Sequence, residues 1–250
     1  MNLEFNSNHK FLSVVISIFI IFAFLAVVSL FSHEAAGKLA VIPQSSSPFG
    51  KPYSNWTADW WRWYIQTPFD QNHQSVDPTG AQCARAQSGP VWFISGSEKV
   101  GIEKTCVVPK GKAILVPILI VECSYVEDKK ITNVDGLRNC AAQMADNYQG
   151  LKIVYDGNSI TDKEIHQKYR VVSSPFTVNF PAKNVFTATP PGPTTSVSDG
   201  YWIMFQPPSP GNHQIKFGGC YQSPAVSAPT EQPTGNFCQD VTYNLKVLNK

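Results

Sequence analysis

The chain has 250 residues, of which only 15% are charged, while 12% are aromatic and 19 are proline. A formal charge of +2, with no Lys/Arg cluster interleaved with aromatics, excludes the electrostatic footprint of a phosphate backbone, so no nucleic-acid partner is expected. Charge well under the roughly 25% of ordinary soluble domains, together with many aromatics and turn formers, points to strands and turns.

Residues 1–10 form a short polar tail, read as cytoplasmic. Residues 11–31 carry no charge over 21 positions, long enough to cross a hydrocarbon layer of about 30 Å. They are expected to anchor the chain in a membrane, or to act as a secretion signal cleaved near Ala35-Ala36-Gly37. Residues 32–53, with Ser45-Ser46-Ser47-Pro48, Gly50 and Pro52, have the makeup of a linker, and residues 54–250 are left as one extracytoplasmic domain.

That domain opens on its most apolar helix. Trp56, Trp60, Trp63 and Tyr64 recur at i, i+4, i+7 and i+8, with Trp61 and Ile65 beside them, so residues 54–67 predict a core helix lying across a sheet, capped by Ser54 and stopped by Pro68. Each buried tryptophan removes about 200 Å² from water. Asn55-Trp56-Thr57 is a glycosylation sequon at the mouth of this helix, where a glycan would clash with packing. The polar loop from Phe69 to Gln87 offers Asp70, Asn72 and Asp77 as oxygen donors, but without the EF-hand pattern, and no metal or cofactor is expected.

From Val91 the period becomes two. Val91–Ser95, Ile102–Val108 and Ala113–Val121 read as strands, the last two joined as a hairpin through Pro109-Lys110-Gly111-Lys112. The third is apolar on both faces, and Pro117 inside it predicts a bulge or an unpaired edge. Glu122 ends this apolar run, where a carboxyl would have a raised pKa. Residues 135–148 return to helical spacing, with Asp135 as cap and Gly150 as stop. Leu151–Tyr155 is a strand running into the turn Asp156-Gly157-Asn158, and Thr161 with Glu164 opens a short helix toward Tyr169.

The C-terminal third alternates most clearly, around Phe176–Phe180, His213–Phe217 and Val241–Val247, with a central strand at Gly200–Gln206. If 200–206 and 213–219 form a hairpin across Pro207-Pro208-Ser209-Pro210-Gly211, the long segments 183–199 and 220–236 share one rim. Asp199, Tyr201, Tyr221 and Gln222 at the roots of that rim are then the candidate binding residues.

All six cysteines follow the hydrophobic segment, as expected in an oxidising compartment. Six cysteines allow 15 pairings, among which spacing suggests Cys83 with Cys106, Cys123 with Cys140, and Cys220 with Cys238, each closing a loop of about 20 residues. The nearest two are 17 apart, too far for a zinc site.

Several of these stretches occur together in a known pattern: Trp56 with Trp60-Trp61-Arg62-Trp63 and Pro68; Asp77, Gly80 and Cys83; Gln87 with Gly89-Pro90-Val91-Trp92-Phe93 and Gly96; Cys106 with Val108-Pro109 and Gly111-Lys112; Asp199-Gly200-Tyr201-Trp202; and Ser209-Pro210-Gly211 with His213 and Phe217-Gly218-Gly219. Across 49–123 and 199–247 the chain resembles a family of uncharacterised exported proteins of archaea and bacteria. The resemblance implies an exported, mainly β domain and no activity, so it carries over no catalytic residue.

The expected fold is a mainly β, antiparallel β-sandwich of jelly-roll or Ig-like type with two or three packed helices, preceded by one N-terminal transmembrane helix. The expected function is that of a membrane-anchored or secreted module of the cell envelope, binding a glycan or an envelope protein. A competing class is an exported hydrolase using carboxylates such as Asp70, Asp77 or Glu122, although Gly-x-Ser-x-Gly and His-Glu-x-x-His are both absent. A third is an accessory subunit of a membrane complex docking through the tryptophan helix.

Overall fold

The structure, a computed structural model, describes residues 40–249 apart from 98, 187–188 and 224–235. The predicted tail, membrane segment and cleavage site lie outside the described residues, as does most of the 220–236 loop; no described helix is long and apolar enough to cross a membrane.

The domain is mainly β, with two mixed sheets and three helices among the described residues. The first sheet holds β1 (Val41–Ile42), β2 (Val91–Phe93), β4 (Ala113–Ser124), β7 (Phe176–Phe180) and β8 (Gly192–Phe205). The second holds β3 (Val100–Val108), β5 (Tyr148–Tyr155), β6 (Asn158–Ile160), β9 (Gly211–Tyr221) and β10 (Phe237–Val247). The helices are α1 (Tyr53–Gln66), α2 (Val134–Ala145) and α3 (Asp162–Lys168).

The expectation of purely antiparallel sheets is corrected. β2 runs parallel to β4, and β3 runs parallel to β10. Both predicted hairpins are also absent: β3 and β4 lie in different sheets, and so do β8 and β9. Alternation reports which face of a strand is buried, but it carries no information on neighbour or direction. The short links at 109–112 and 206–210 therefore pass between sheets. Part of the stretch read as linker also belongs to the fold, since Val41 and Ile42 pair with Phe205 and Met204.

One buried cluster joins Ile114, Val116 and Ile118 of β4 and Ile203 and Phe205 of β8 to Ile215 and Phe217 of β9 and Val241, Tyr243 and Leu245 of β10. The opposite face of the first sheet, Leu115, Trp202, Met204, Phe176 and Val178, packs with the tryptophans of α1. β4 serves both clusters, which is why it is apolar on both faces. Its ladder with β8 slips between Pro117 and Leu119, so Ile118 and Leu119 both enter the first cluster, which is the bulge that Pro117 predicted. Opposite the slip, a Cβ on Gly200 would lie 2.6 Å from Leu119 O, and Gly200 holds φ +142, so only glycine fits there.

All four α1 tryptophans are buried, and each indole N–H finds an oxygen: Trp56 Pro48 O, Trp60 Ile94 O, Trp61 Ser198 Oγ and Trp63 Arg85 O. At about 25 cal/mol per Å², each ring contributes roughly 5 kcal/mol of gross burial. The helix starts one residue before Ser54, with Pro52 at the N-cap and no side-chain cap, Pro52 O accepting from Asn55 N and Trp56 N. Thr57 of the sequon is buried within the helix, its hydroxyl donating to Ser54 O.

α2 is capped by Asn133, whose side chain accepts from Gly136 N, rather than by Asp135. It ends at Ala145, and Gly150 instead holds φ +61 beside the irregularity of β5 between Gln149 and Lys152. The turn into β6 has positive φ at both Asp156 and Gly157, as a tight hairpin requires. Thr161 caps α3 by accepting from Glu164 N. All three disulfides form as the spacing suggested: Cys83–Cys106, Cys123–Cys140 and Cys220–Cys238. With about 20 residues in each loop, each contributes roughly 3 kcal/mol. They indicate an oxidising, extracytoplasmic location.

Candidate functional site

The site forms where the first sheet runs out of strands. β4 pairs with β8 along its length but with β2 only at Ala113–Leu115, so among the described residues its second half has one edge without a strand. Gln239 of β10 covers the start of that edge, Nε2 donating to Pro117 O and Ile118 O. Beyond it, residues Ile120 to Ser124 border a cavity of about 590 Å³, walled by Trp61 of α1, Phe186, Ile131, and Cys140, Gln143 and Met144 of α2. Cys123–Cys140 staples α2 to β4 beside it. A smaller cavity of about 220 Å³, bordered by Trp60 and Tyr64, shares Trp61, Ile120 and Phe186 with it.

Glu122 and Glu127 both line the larger cavity. Glu122 is buried, and Ser196 Oγ donates to its Oε1, while its Oε2 is buried without a conventional hydrogen bond. Burial, then the neighbouring Glu127 carboxyl, pushes the Glu122 pKa well above the carboxylate range. Glu127 follows in the turn after β4, half-buried, and accepts from Ser124 Oγ at 2.6 Å. Burial raises its pKa too, against the hydrogen bonds that favour its ionised form. Two carboxyls in contact cannot both ionise easily, so the pair shares a proton in the manner of a dyad. Such a pair can accept a cation, donate one hydrogen bond while accepting others, or exchange a proton with a bound molecule.

The other predicted carboxylates are placed elsewhere. Asp70 is exposed and makes a two-pronged ion pair with Arg85, whose hydrogen bonds lower its pKa to about 2. Asp77 is buried; burial alone would raise its pKa, but donors from Gln82 N and from Thr79 outweigh this and lower it. Each already has its partners, and neither lines the cavity of Glu122. Among the described residues no group of three His, Cys, Asp or Glu is placed to hold a metal ion.

Asp199, Tyr201 and Tyr221 are gathered, but inside the protein. Asp199 is fully buried and takes both prongs of Arg170, at 2.9 and 2.8 Å, and Arg170 reaches on to Asp146. Tyr201 OH meets His166 Nδ1 at 2.8 Å. Tyr148 packs between the rings of Tyr201 and Tyr221, and burial raises its own pKa. Gln222 alone is exposed. The hairpin that placed these residues on an open rim does not form, and three of the four tie α2, α3, β5, β8 and β9 together.

A third cavity of about 620 Å³ lies beside α1 and carries Lys51, Arg62 and Arg85. Its cations are matched: Lys51 and Arg62 pair with Asp59, and Arg85 pairs with Asp70. Glu127 escaped sequence reasoning because a carboxylate in a turn is ordinarily solvated; Glu122 was noticed only because it ends an apolar run. Comparison with protein-family models, with curated proteins and with solved structures finds no match.

Proposed function

We propose that the chain is an extracytoplasmic binding module of the cell envelope, a β-sandwich tethered by residues 11–31 or secreted after their cleavage, whose ligand enters the cavity over Glu122 and Glu127. The observation that carries this reading is a cavity of about 590 Å³ bordered by a buried carboxyl, Glu122, whose Oε2 receives no N–H or hydroxyl and has only the Glu127 carboxyl beside it. Buried carboxyls are ordinarily satisfied by donors or cations, and a buried carboxyl pair with neither a cation nor a full set of donors, at the edge of a cavity, has a use for a ligand. Of the ligands expected, a short glycan or a peptide segment suits a cavity of this size better than a flat protein face.

The test is binding of envelope glycans and envelope-protein peptides to the purified, oxidised full-length protein. Saturable binding is expected, and Gln143→Trp, at an exposed position on the cavity wall, is expected to abolish it without unfolding. A folded protein that binds none of these, with Gln143→Trp indistinguishable from it, removes the reading.

The proton-sharing pair favours one second reading, an exported hydrolase in which the ionised member takes a proton from water and the protonated member supplies one to the leaving group. Turnover of a glycan or peptide lost in both Glu122→Gln and Glu127→Gln would support it. Binding without turnover in the wild-type protein would not.

A further inference from the structure

The charges of this cavity identify the chemistry of what it holds. Three carboxyl groups, Glu122, Glu127 and Asp128, border it, and among the described residues no lysine, arginine or histidine does. Asp59, Asp70 and Asp199, by contrast, each have a cation within hydrogen-bond distance. The acids here are not a solvated cluster either. Glu122 is more than nine-tenths buried, and its Oε2 receives no N–H or hydroxyl, its neighbour being the Glu127 carboxyl.

The remaining lining is apolar and aromatic. Trp61 contributes one ring and Phe186 another, with Ile120, Ile131 and Met144 between them. An aromatic face attracts a cation through its quadrupole, and more strongly where water is excluded. A carboxyl oxygen without a donor completes such a site when a charged N–H arrives, and the resulting bond is about twice as strong as a neutral one.

We infer that the cavity binds a small organic ammonium: a positively charged nitrogen set between Glu122 and Glu127, on an apolar body that fills the space against Trp61 and Phe186. This rests on the cavity being the ligand site, as proposed above, and names the group that is recognised there. The reaction is an exchange without covalent change. The ammonium enters as the shared proton leaves to water, and its N–H groups donate to the carboxylate oxygens. Anions are disfavoured, because among the described residues no lysine, arginine or histidine borders the cavity to receive them.

Ionisation makes the binding depend on pH. The groups facing the pair are Asp128 in its own turn, Ser196 of β8, Asn139 and Gln143 of α2, and Trp61 of α1, so Asp128 is the one other charged side chain bordering the cavity among the described residues. Affinity for the ammonium should rise as pH increases and the pair gives up its proton.

The test compares hexylammonium, 1-hexanol and hexanoate, matched in length, by calorimetry and ligand-observed NMR on the oxidised full-length protein. Hexylammonium is expected to bind at least about tenfold tighter than hexanol, the difference one charge-assisted hydrogen bond makes, and hexanoate not at all. Glu127→Gln, at the half-buried position where folding is least at risk, should erase that preference and leave hexanol unaffected. Hexanol binding as well as hexylammonium, with Gln143→Trp blocking both, would overturn the ammonium inference and leave the cavity as the ligand site. No probe binding a folded protein at any pH between 5 and 8 would overturn the inference, and failure of the envelope ligands as well would take the site with it.

Discussion

Two buried acids in this domain, Asp199 and Glu122, lie on neighbouring strands of one sheet and have opposite surroundings. Asp199 meets a guanidinium in two-pronged geometry and the N–H of Gly200. Glu122 meets a serine hydroxyl, a second carboxyl and a cavity. Burying a charge is costly, and the fold offsets that cost at Asp199 from within the protein. At Glu122 it does so only by retaining a proton. A satisfied buried acid organises structure, whereas one facing space in need of a partner is where a ligand can change the energy most. This separates the two clusters more sharply than burial or residue type does.

The comparison breaks first at Arg170. Arg170→Met strands a fully buried carboxylate, and urea unfolding should give a loss of about 3 to 5 kcal/mol. The double variant Arg170→Met with Asp199→Asn should recover part of it; no recovery would mean that Arg170 acts through packing alone.

Next is Lys104, the buried base of the second sheet, whose Nζ donates to Gln74 O and to Ser95 Oγ. Burial lowers its pKa from 10.5 to about 8. Between those two values the unfolded chain holds a proton that the fold has released, so stability from this group rises with pH across the window, by up to about 3 kcal/mol. In wild-type minus Lys104→Met difference curves of Tm against pH, that rise should be present from pH 8 upward; a flat difference would mean that Lys104 titrates normally.

Glu122→Gln should change stability in the opposite sense to Arg170→Met. Its pKa in the fold is raised above the ordinary 4.5, so stability from this group is complete below that value and is lost as pH rises through the folded pKa. The variant should flatten this decline and gain about 1 to 3 kcal/mol at neutral pH, a few degrees in Tm. A loss at pH 7.5 would show Glu122 ionised and paired, contrary to the dyad.

The smallest effect is expected at Asp70. The Asp70–Arg85 pair is solvent-exposed, and exposed pairs contribute little. Asp70→Asn should leave Tm unchanged within error, and a clear drop would place that loop among the structural charges.

Much of this fold was legible in the residues. Helical spacing of tryptophans placed α1, alternation placed most strands, Pro117 marked the bulge, Thr161 the start of α3, and cysteine spacing the three disulfides. These depend on neighbours within a few residues, or on short closed loops, and such information is local. Apart from helix ends and the linker boundary, the errors were of partnership. His213, Ile215 and Phe217 alternate as a half-buried strand should, yet that pattern is equally satisfied beside β8 or beside β5 and β10, and the chain takes the latter. The hairpin from which the rim was inferred failed with that pairing, and most of the 220–236 loop lies outside the described residues.

The candidate site was half legible. Glu122 stood out at the end of an apolar run, but Glu127, Ser196, Trp61 and Phe186 reach it from a turn, a strand, a helix and a loop far apart in sequence. Local spacing and composition determined where helices and strands form, which faces they bury, and which compartment the cysteines indicate. Tertiary structure decided which strands pair, that Asp199 is paired with Arg170, and that among the described residues no base borders the cavity at Glu122. That last distinction depends on what lies within a few ångströms of one carboxyl group, because electrostatic and hydrogen-bond energies in a dry interior are set by distance in space rather than along the chain.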